Sequence, residues 1–355
     1  MYIVDAHEDI AWNALNLGRD VRRSALETRR SEVRSGSRAP KLNGQCMVGL
    51  PEWLEGRVAV VFGTIYVRPA RRGKSTAKGR VYTTAEEAHA LGWEQLDYYH
   101  RLADACEQIT LVGSRAELDD VLASWEGDEP RVGLVPLMEG ADPIREPAEA
   151  EAWFERGARI VGLAWRSGSR YAGGDATGRA LTDAGRKLLA VMAELGLALD
   201  VSHLAEEAFF EAVGRFGGSI VATHANPRAR VPGPRQLSDE MIGRLAERDG
   251  VIGIVPFNRF LHGSWRKGDP KAAVGVADVA AAIDHVCQVV GDATHVGIGS
   301  DFDGGFGAES TPAELDTVAD LRAIGPALAE MGYDEAAIAA ILGGNWLRLL
   351  SSALP

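Results

Sequence analysis

Eight short runs of apolar and β-branched residues recur along the chain, and longer segments with helical character separate them. The runs are YIVDA, VAVVFGTIYV, VGLVPLME, IVGLAW, LALDVSH, SIVATHA, GVIGIVPF and HVGIGSDFDG. Strands that alternate with helices pair in parallel. Eight such units predict an α/β fold, a closed (β/α)8 TIM barrel. The alternative is an open doubly wound sheet, which the lack of a glycine-rich nucleotide motif after the first run disfavours.

Length and composition fit one globular domain over residues 1–355, because barrels of this kind reach such a size. The formal net charge of −12 argues against general nucleic-acid binding. The cysteines, Cys46, Cys106 and Cys287, follow no metal-binding or disulfide pattern. No secretion signal precedes the first run, and the final NWLRLLSSALP is too short for a membrane span, so we expect a cytoplasmic protein without a membrane partner.

Two segments are rich in arginine. Residues 19–38 read RDVRRSALETRRSEVRSGSR, and residues 68–80 read RPARRGKSTAKGR, with six basic residues and no acidic one. Both follow predicted strands, so both are expected above the C-terminal face of the barrel. They are either solvated loops or a positive rim that attracts an anionic substrate.

Side chains that can bind a metal follow the predicted strands at their C-terminal ends, the face at which TIM barrels place their active sites. One such residue alone is most simply a polar group that closes a strand. The whole set at one face is a stronger signal. It comprises His7 and Asp9 after the first run, Glu139 after the third, His203 after the fifth, His224 after the sixth and Asp301 after the eighth.

Imidazole and carboxylate groups suit zinc and similar divalent ions, and this set exceeds what one catalytic zinc needs. A two-metal site shares a bridging carboxylate, for which Glu139 is the natural candidate. His7 and Asp9 then belong to a first ion position, and His203 and His224 to a second. A water or hydroxide between the ions is the expected nucleophile. Asp301 would face it, as a proton shuttle or as a partner of a substrate amine.

The motifs DAHED, LMEGAD, DVSHL, THANPRARVPGPRQLSDEMI and GIGSDFDGG resemble those of the membrane dipeptidase (renal dipeptidase) family of binuclear zinc peptidases, in the same order. The resemblance implies a barrel of the metal-dependent hydrolase type that cleaves dipeptides, some with a D-residue at the C-terminal position. It implies two Zn²⁺ ions per chain and commonly a homodimer. The ligands that it implies are His7, Asp9, Glu139, His203 and His224.

The resemblance also assigns two substrate contacts. It implies that Asp301 handles the scissile nitrogen or the substrate amine. It places the family's carboxylate-binding arginine on Arg235, in the proline-rich loop eleven residues after His224. Because Arg228 and Arg230 share this loop, they are alternative candidates.

One position departs from the family pattern. Where mammalian members have a histidine that polarises the scissile carbonyl, this chain has Trp165, in IVGLAWRSGSRYAGG. Tryptophan carries no charge and donates only through its indole N–H. Trp165 is either a substrate contact or a packing residue. The metals, Arg166 or His262 are other candidates for stabilising the oxyanion.

Two other functions remain open from the sequence. The first is an amidohydrolase or lactonase that acts on a non-peptide bond. The second is a barrel that binds a ligand without turnover. Related binuclear barrels usually carry HxH on the first strand and a lysine on the fourth. Here the first strand ends in HxD and the fourth has no lysine, which favours the dipeptidase.

Overall fold

The computed structural model describes residues 1–70 and 79–355. Within these residues, nine strands form one parallel sheet in the order β2-β1-β9-β8-β7-β6-β5-β4-β3. A further pairing between β2 and β4 closes eight of them into a barrel, which confirms the predicted TIM barrel. The strands are β1 (Ile3–Glu8), β2 (Val58–Tyr66), β3 (Ile109–Leu111), β4 (Val132–Glu139), β5 (Ile160–Gly162), β6 (Ala198–Asp200), β7 (Ile220–Ala222), β8 (Val251–Ile254) and β9 (Val296–Ile298).

Strand β3 is the one that the sequence pattern missed. It pairs with β4 alone, starting at Ile109 opposite Val132, and so lies outside the ring. Of its three residues only Ile109 is fully buried. A run this short and this exposed has too little apolar periodicity to identify as a strand.

Helices surround the ring. They are α1 (Ile10–Leu17), α2 (Ala25–Ser35), α3 (Ala39–Asn43), α4 (Leu50–Glu55), α5 (Ala85–Ala105), α6 (Arg115–Ser124), α7 (Ala150–Glu155), α8 (Asp183–Leu195), α9 (Glu206–Arg215), α10 (Asp239–Ala246), α11 (Asn258–Leu261), α12 (Val276–Val290), α13 (Ile324–Glu330), α14 (Glu335–Ala339) and α15 (Asn345–Ala353). Helix α8 shows why they start and stop where they do. The Thr182 hydroxyl caps its first turn, and Gly196 ends it in the left-handed conformation with φ 76°.

Most of the final segment NWLRLLSSALP belongs to a longer helix. A π-helical turn, Ala340–Gly344, joins α14 to α15. The combined helix Glu335–Ala353 is long and apolar enough, by length and composition only, to cross a membrane. In this fold it packs on the barrel: Trp346 is buried and its indole N–H donates to the carbonyl of Ile298 at 3.0 Å.

The first arginine-rich segment is not a solvated loop. Most of it forms α2, and Arg29 donates to the Cys46 carbonyl at 2.6 Å. Arg19 is buried, 2.8 Å from a Glu32 carboxylate oxygen and 3.4 Å from that of Asp303. These contacts attach the segment to the loop that follows β9. In the second arginine-rich segment, residues 71–78 lie outside the described part of the chain.

Candidate metal centre and active site

Four predicted ligands converge at the C-terminal end of the barrel. Glu139, the last residue of β4, points its Oε1 atom to 3.1 Å from His203 Nε2 and 3.4 Å from His224 Nε2. The two imidazole Nε2 atoms lie 3.1 Å apart. His7, on β1, places its Nε2 atom 3.8 Å from the same carboxylate oxygen. Residues more than 190 positions apart thus face one point because neighbouring parallel strands end at one face.

This donor set fits a divalent metal ion. Tetrahedral zinc with bonds of about 2.0–2.1 Å separates its ligand atoms by roughly 3.3 Å. The triangle formed by His203, His224 and Glu139 has sides of 3.1, 3.1 and 3.4 Å. The Nε2 atom of His7 is buried and has no hydrogen-bond partner. One ligand atom from each of His7, Glu139 and His224 also lies within 4.8 Å of the other two.

Two further carboxylates that the sequence singles out, those of Asp9 and Asp301, line a cavity beside this cluster. Asp9 follows β1, and its Oδ1 atom accepts a short hydrogen bond from the Thr64 hydroxyl. Asp301 Oδ1 lies 4.0 Å from His7 Nε2, and the Asp301 backbone N–H donates to the His7 carbonyl at 2.9 Å. With φ 55°, Asp301 adopts the left-handed conformation that non-glycine residues rarely take. The loop after β9 therefore aims this carboxylate at the cluster.

Burial sets the protonation of the cluster. It lowers the pKa of His203 to about 4 and those of His7 and His224 well below the ordinary value. These imidazoles are therefore neutral, the form that binds metals. Burial raises the pKa of Asp9 to about 6, and burial together with nearby carboxylates holds those of Glu139 and Asp301 well above their usual range. Such a group of carboxyls favours a positive ion among them.

Three residues that the sequence analysis did not single out hold the histidines. Asp175, in the loop after β5, places Oδ2 3.2 Å from His203 Nδ1. Thr223 Oγ1 lies 3.2 Å from His7 Nδ1 and 3.0 Å from His224 Nδ1, and it donates to Asp200 Oδ2 at 2.6 Å. Thr223 and Asp200 stand in the motifs VATHAN and LALDVSH, whose histidines drew attention first. Their own role is visible only in three dimensions.

Arg235 is the one arginine of its loop that reaches the cavity in the described structure. Its Nη2 atom donates to the His224 carbonyl at 2.6 Å, and its Nε atom lies 3.7 Å from Asp175 Oδ2. The Nη1 atom is buried and has no hydrogen-bond partner. By contrast, Arg228 donates to Glu206 at 2.6 Å and Arg230 lies 3.6 Å from Asp278.

The cavity has a volume of about 530 Å³ and contains all of the predicted site residues except His7 and His224, which are buried behind its wall. Trp165 lines it, with its ring 5.2 Å from that of Tyr66 and 6.0 Å from that of His203. Arg166 is also among the described lining residues, whereas His262 is not and lies 3.0 Å from the Ser264 hydroxyl.

A closed parallel barrel with histidines and carboxylates gathered at its C-terminal end defines the class of metal-dependent hydrolases. The family model described as membrane dipeptidase, peptidase family M19, matches residues 1–354. The chain therefore belongs to that family, and the predicted enzyme class, a metallodipeptidase, is confirmed.

Individual relatives agree with this assignment. An uncharacterised protein in the pqqA 5′ region of Klebsiella pneumoniae is 30% identical, over 73% of this chain and 95% of its own. The dipeptidase aclJ of Aspergillus oryzae is 27% identical, over 87% of this chain and 70% of its own. A metallopeptidase from Rhodobacter sphaeroides, solved with a phosphinate mimic of the dipeptide L-Ala-D-Ala, is 25% identical with a TM-score of 0.80, covering 100% of this chain and 99% of that one.

Proposed function

We propose that this protein hydrolyses dipeptides in the cavity at the C-terminal end of the barrel, with two divalent ions, Zn²⁺ first among the candidates, as its cofactors. The observation that carries the proposal is the position of Arg235. Its guanidinium is bonded to the carbonyl of the predicted ligand His224, and its Nη1 atom remains buried without a partner in the same site. A buried cationic N–H group that lacks an acceptor is costly, so a ligand carboxylate is its natural partner.

The position of Arg235 beside the ligand cluster bears on which peptide bond would be cleaved. The guanidinium is attached to the backbone of His224, so it cannot move away from the cluster independently. A peptide whose scissile bond lies at the cluster and whose terminal carboxylate reaches Arg235 would have its last residue between the two. This arrangement supports cleavage of the C-terminal peptide bond, which in a dipeptide is the only one.

Hydrolysis adds an oxygen to the carbonyl carbon and a proton to the leaving nitrogen. When bound, the divalent ions would supply Lewis acidity and lower the pKa of a water between them, the expected nucleophile. Five residues would hold the ions: His7, Asp9, Glu139, His203 and His224. Glu139 is proposed as the shared ligand. Asp301 would take the proton from the attacking water and deliver it to the leaving nitrogen.

Tyr66 is our candidate for the hydrogen-bond donor to the scissile carbonyl, in place of the missing histidine. Tyr66 and Glu139 are paired residues on neighbouring strands, so their side chains start from adjacent points at the barrel rim. The Tyr66 ring lines the cavity and packs against Trp165. The Gln95 side chain accepts a hydrogen bond from the Tyr66 backbone N–H at 3.0 Å and donates one to the Tyr66 carbonyl at 2.6 Å. Trp165 would then be a substrate contact that also positions Tyr66.

Tolerance of a D-residue at the C-terminal position is also proposed. It is supported by the relative from Rhodobacter sphaeroides, whose bound compound mimics L-Ala-D-Ala. In this chain Phe257, Phe260 and Phe306 form part of the cavity wall together with Arg235. A single domain over residues 1–355, a homodimer and a cytoplasmic location stay predictions. Sedimentation and cell fractionation would test the last two.

A substrate screen tests the proposal. Protein reloaded with Zn²⁺ would be assayed for amine release on L-Ala-L-Ala, L-Ala-D-Ala and the tripeptide L-Ala-L-Ala-L-Ala, and for acid release on a panel of lactones. We expect turnover of dipeptides, including the one with the D-residue, and little turnover of the tripeptide. Turnover of lactones alone would instead support the alternative amidohydrolase or lactonase. Zinc binding without any turnover would support a binding barrel.

A further inference from the structure

The hydroxyl group of Thr223 contacts two of the predicted metal ligands, His7 and His224. Thr223 Oγ1 lies 3.2 Å from His7 Nδ1 and 3.0 Å from His224 Nδ1. The two imidazole rings lie against each other, with centroids 3.6 Å apart and planes inclined by 31°. Thr223 is completely buried, so no solvent competes for its hydrogen bonds.

The direction of these hydrogen bonds follows from the neighbouring carboxylate. Asp200 Oδ1 accepts from the backbone N–H groups of Ser202 at 2.9 Å and Thr223 at 3.0 Å. Asp200 Oδ2 lies 2.6 Å from the Thr223 hydroxyl and accepts a hydrogen bond from it. A hydroxyl has one proton and two lone pairs. Because the Thr223 hydroxyl uses its one proton in the hydrogen bond to Asp200, it can only accept hydrogen bonds from His7 and His224.

Both histidines are therefore protonated at Nδ1 and have a lone pair at Nε2. One further observation agrees with this: the Nε2 atom of His7 is buried and has no hydrogen-bond partner. His203 obtains the same tautomer separately, from Asp175 Oδ2 at 3.2 Å from its Nδ1 atom.

We propose that Thr223, oriented by Asp200, is a positioning residue that fixes the tautomer and ring orientation of His7 and His224 together and so couples the first and second ion positions. The inference deepens the proposed function, since it concerns the same metal centre. Partners of metal-binding histidines typically change metal affinity by about 10–100-fold when they are removed. Because this one hydroxyl contacts a predicted ligand of each ion position, its loss should weaken the binding of both ions.

Two substitutions separate this role from simple packing. Thr223→Val keeps the volume and the branched shape but removes the hydroxyl. Thr223→Ser keeps the hydroxyl and removes a methyl group. Thr311→Val is the matched control, because Thr311 is also completely buried and its hydroxyl bonds only to the carbonyls of Ala308 and Leu315, away from the cavity.

The experiment titrates chelated full-length protein with Zn²⁺ against a competing chelator and records the histidine nitrogen shifts of the metal-free protein by NMR. We expect Thr223→Val to weaken both zinc-binding events by about 10–100-fold. Thr223→Ser and Thr311→Val should stay within about threefold of the wild type, since both leave the hydrogen bonds of His7 and His224 in place. In the wild type, His7 and His224 should both show the Nδ1–H tautomer, and in Thr223→Val a mixture.

The wild-type spectrum keeps the proposal falsifiable even where Thr223→Val does not fold. An Nε2–H tautomer on either histidine would overturn it, as would equal zinc affinities for the valine variant and the wild type, or an equal loss for the serine and valine variants. None of these readouts uses a peptide. A failure of the proposed dipeptidase activity would therefore show in the substrate screen and not here.

Discussion

Arg235 donates a hydrogen bond of 2.6 Å from Nη2 to the backbone carbonyl of His224. This contact holds a cationic group at a fixed place beside a predicted metal ligand. Asp175 strengthens the arrangement, because its Oδ2 atom lies 3.7 Å from Arg235 Nε and 3.2 Å from His203 Nδ1. The proposed carboxylate site and the proposed metal centre are thus joined by direct contacts.

The first prediction concerns the binding of the substrate carboxylate by Arg235. Arg235→Met should keep its metal and lose about 1.5–3 kcal/mol of transition-state binding, the usual size of a charged hydrogen bond. That corresponds to a fall of roughly 10- to 150-fold in kcat/KM on dipeptides. Arg230→Met is the control, because Arg230 lies beside Asp278 and is not among the described residues that line the cavity. The wild type should discriminate against dipeptide amides, and Arg235→Met should not. Equal turnover of acid and amide by the wild type would show that no carboxylate site exists.

A second prediction concerns proton transfer by Asp301. Its carboxylate lies 4.0 Å from His7 Nε2 and is not needed to complete the predicted ligand set. Asp301→Asn has the same shape but cannot carry a proton. It should retain the metal content of the wild type and lower kcat by about 10²–10⁴. Metal analysis and steady-state kinetics of one preparation check both points. Loss of metal would make Asp301 a ligand, and an unchanged kcat would rule out the shuttle.

The third prediction concerns the orientation of that same carboxylate. A Cβ atom on Gly304 would lie 1.9 Å from Asp301 Oδ1, so Gly304→Ala must displace the Asp301 side chain. Misplacing a reacting group by about 1 Å can lower the rate on the order of 100-fold. We expect kcat to fall while the metal stays bound. Gly243→Ala in α10 is the control, because an added Cβ there meets nothing within 4 Å. A normal kcat for Gly304→Ala would argue against a reacting role for Asp301.

A fourth prediction tests Tyr66 as the donor to the scissile carbonyl. Removal of one such donor typically lowers kcat by about 10²–10³. Tyr66→Phe should show this loss with little change in KM, and it should bind a phosphinate dipeptide mimic more weakly. Tyr98→Phe, outside the cavity lining among the described residues, should be neutral. Trp165→His in the Tyr66→Phe background should restore part of the rate. An unchanged kcat for Tyr66→Phe would leave Arg166 or the metals as the source of stabilisation.

The sequence predicts the barrel because its apolar runs alternate with helical segments and several of the runs end in polar residues. His7, Glu139 and Asp301 stand at or just after strand ends, where one-dimensional spacing already implies a shared face. The sequence does not predict β3, which has three residues and, among the described strands, pairs with β4 alone. Nor does it predict Thr223 or Asp175, because the partners of a histidine depend on rotamers and on loops that return from other strands.

The substitution of tryptophan at position 165 also shows a limit of motif comparison. It signals that a histidine is missing but not what takes its place. Tyr66 becomes a candidate only once its strand register beside Glu139 and its contact with Trp165 are known. The choice between Arg228, Arg230 and Arg235 is similar, since all share one loop and only the fold shows which of them reaches the cavity.

The most direct test of the account is the number of divalent ions per chain, measured together with dipeptide turnover before and after chelation. A bridged site requires two ions, so purified protein should contain about two per chain. Chelation should abolish turnover and Zn²⁺ should restore it. His203→Ala or His224→Ala should lose one ion and most activity, because both are the proposed ligands of the second ion position and lie beside Glu139. Full dipeptide turnover by chelated, metal-free protein would contradict the account.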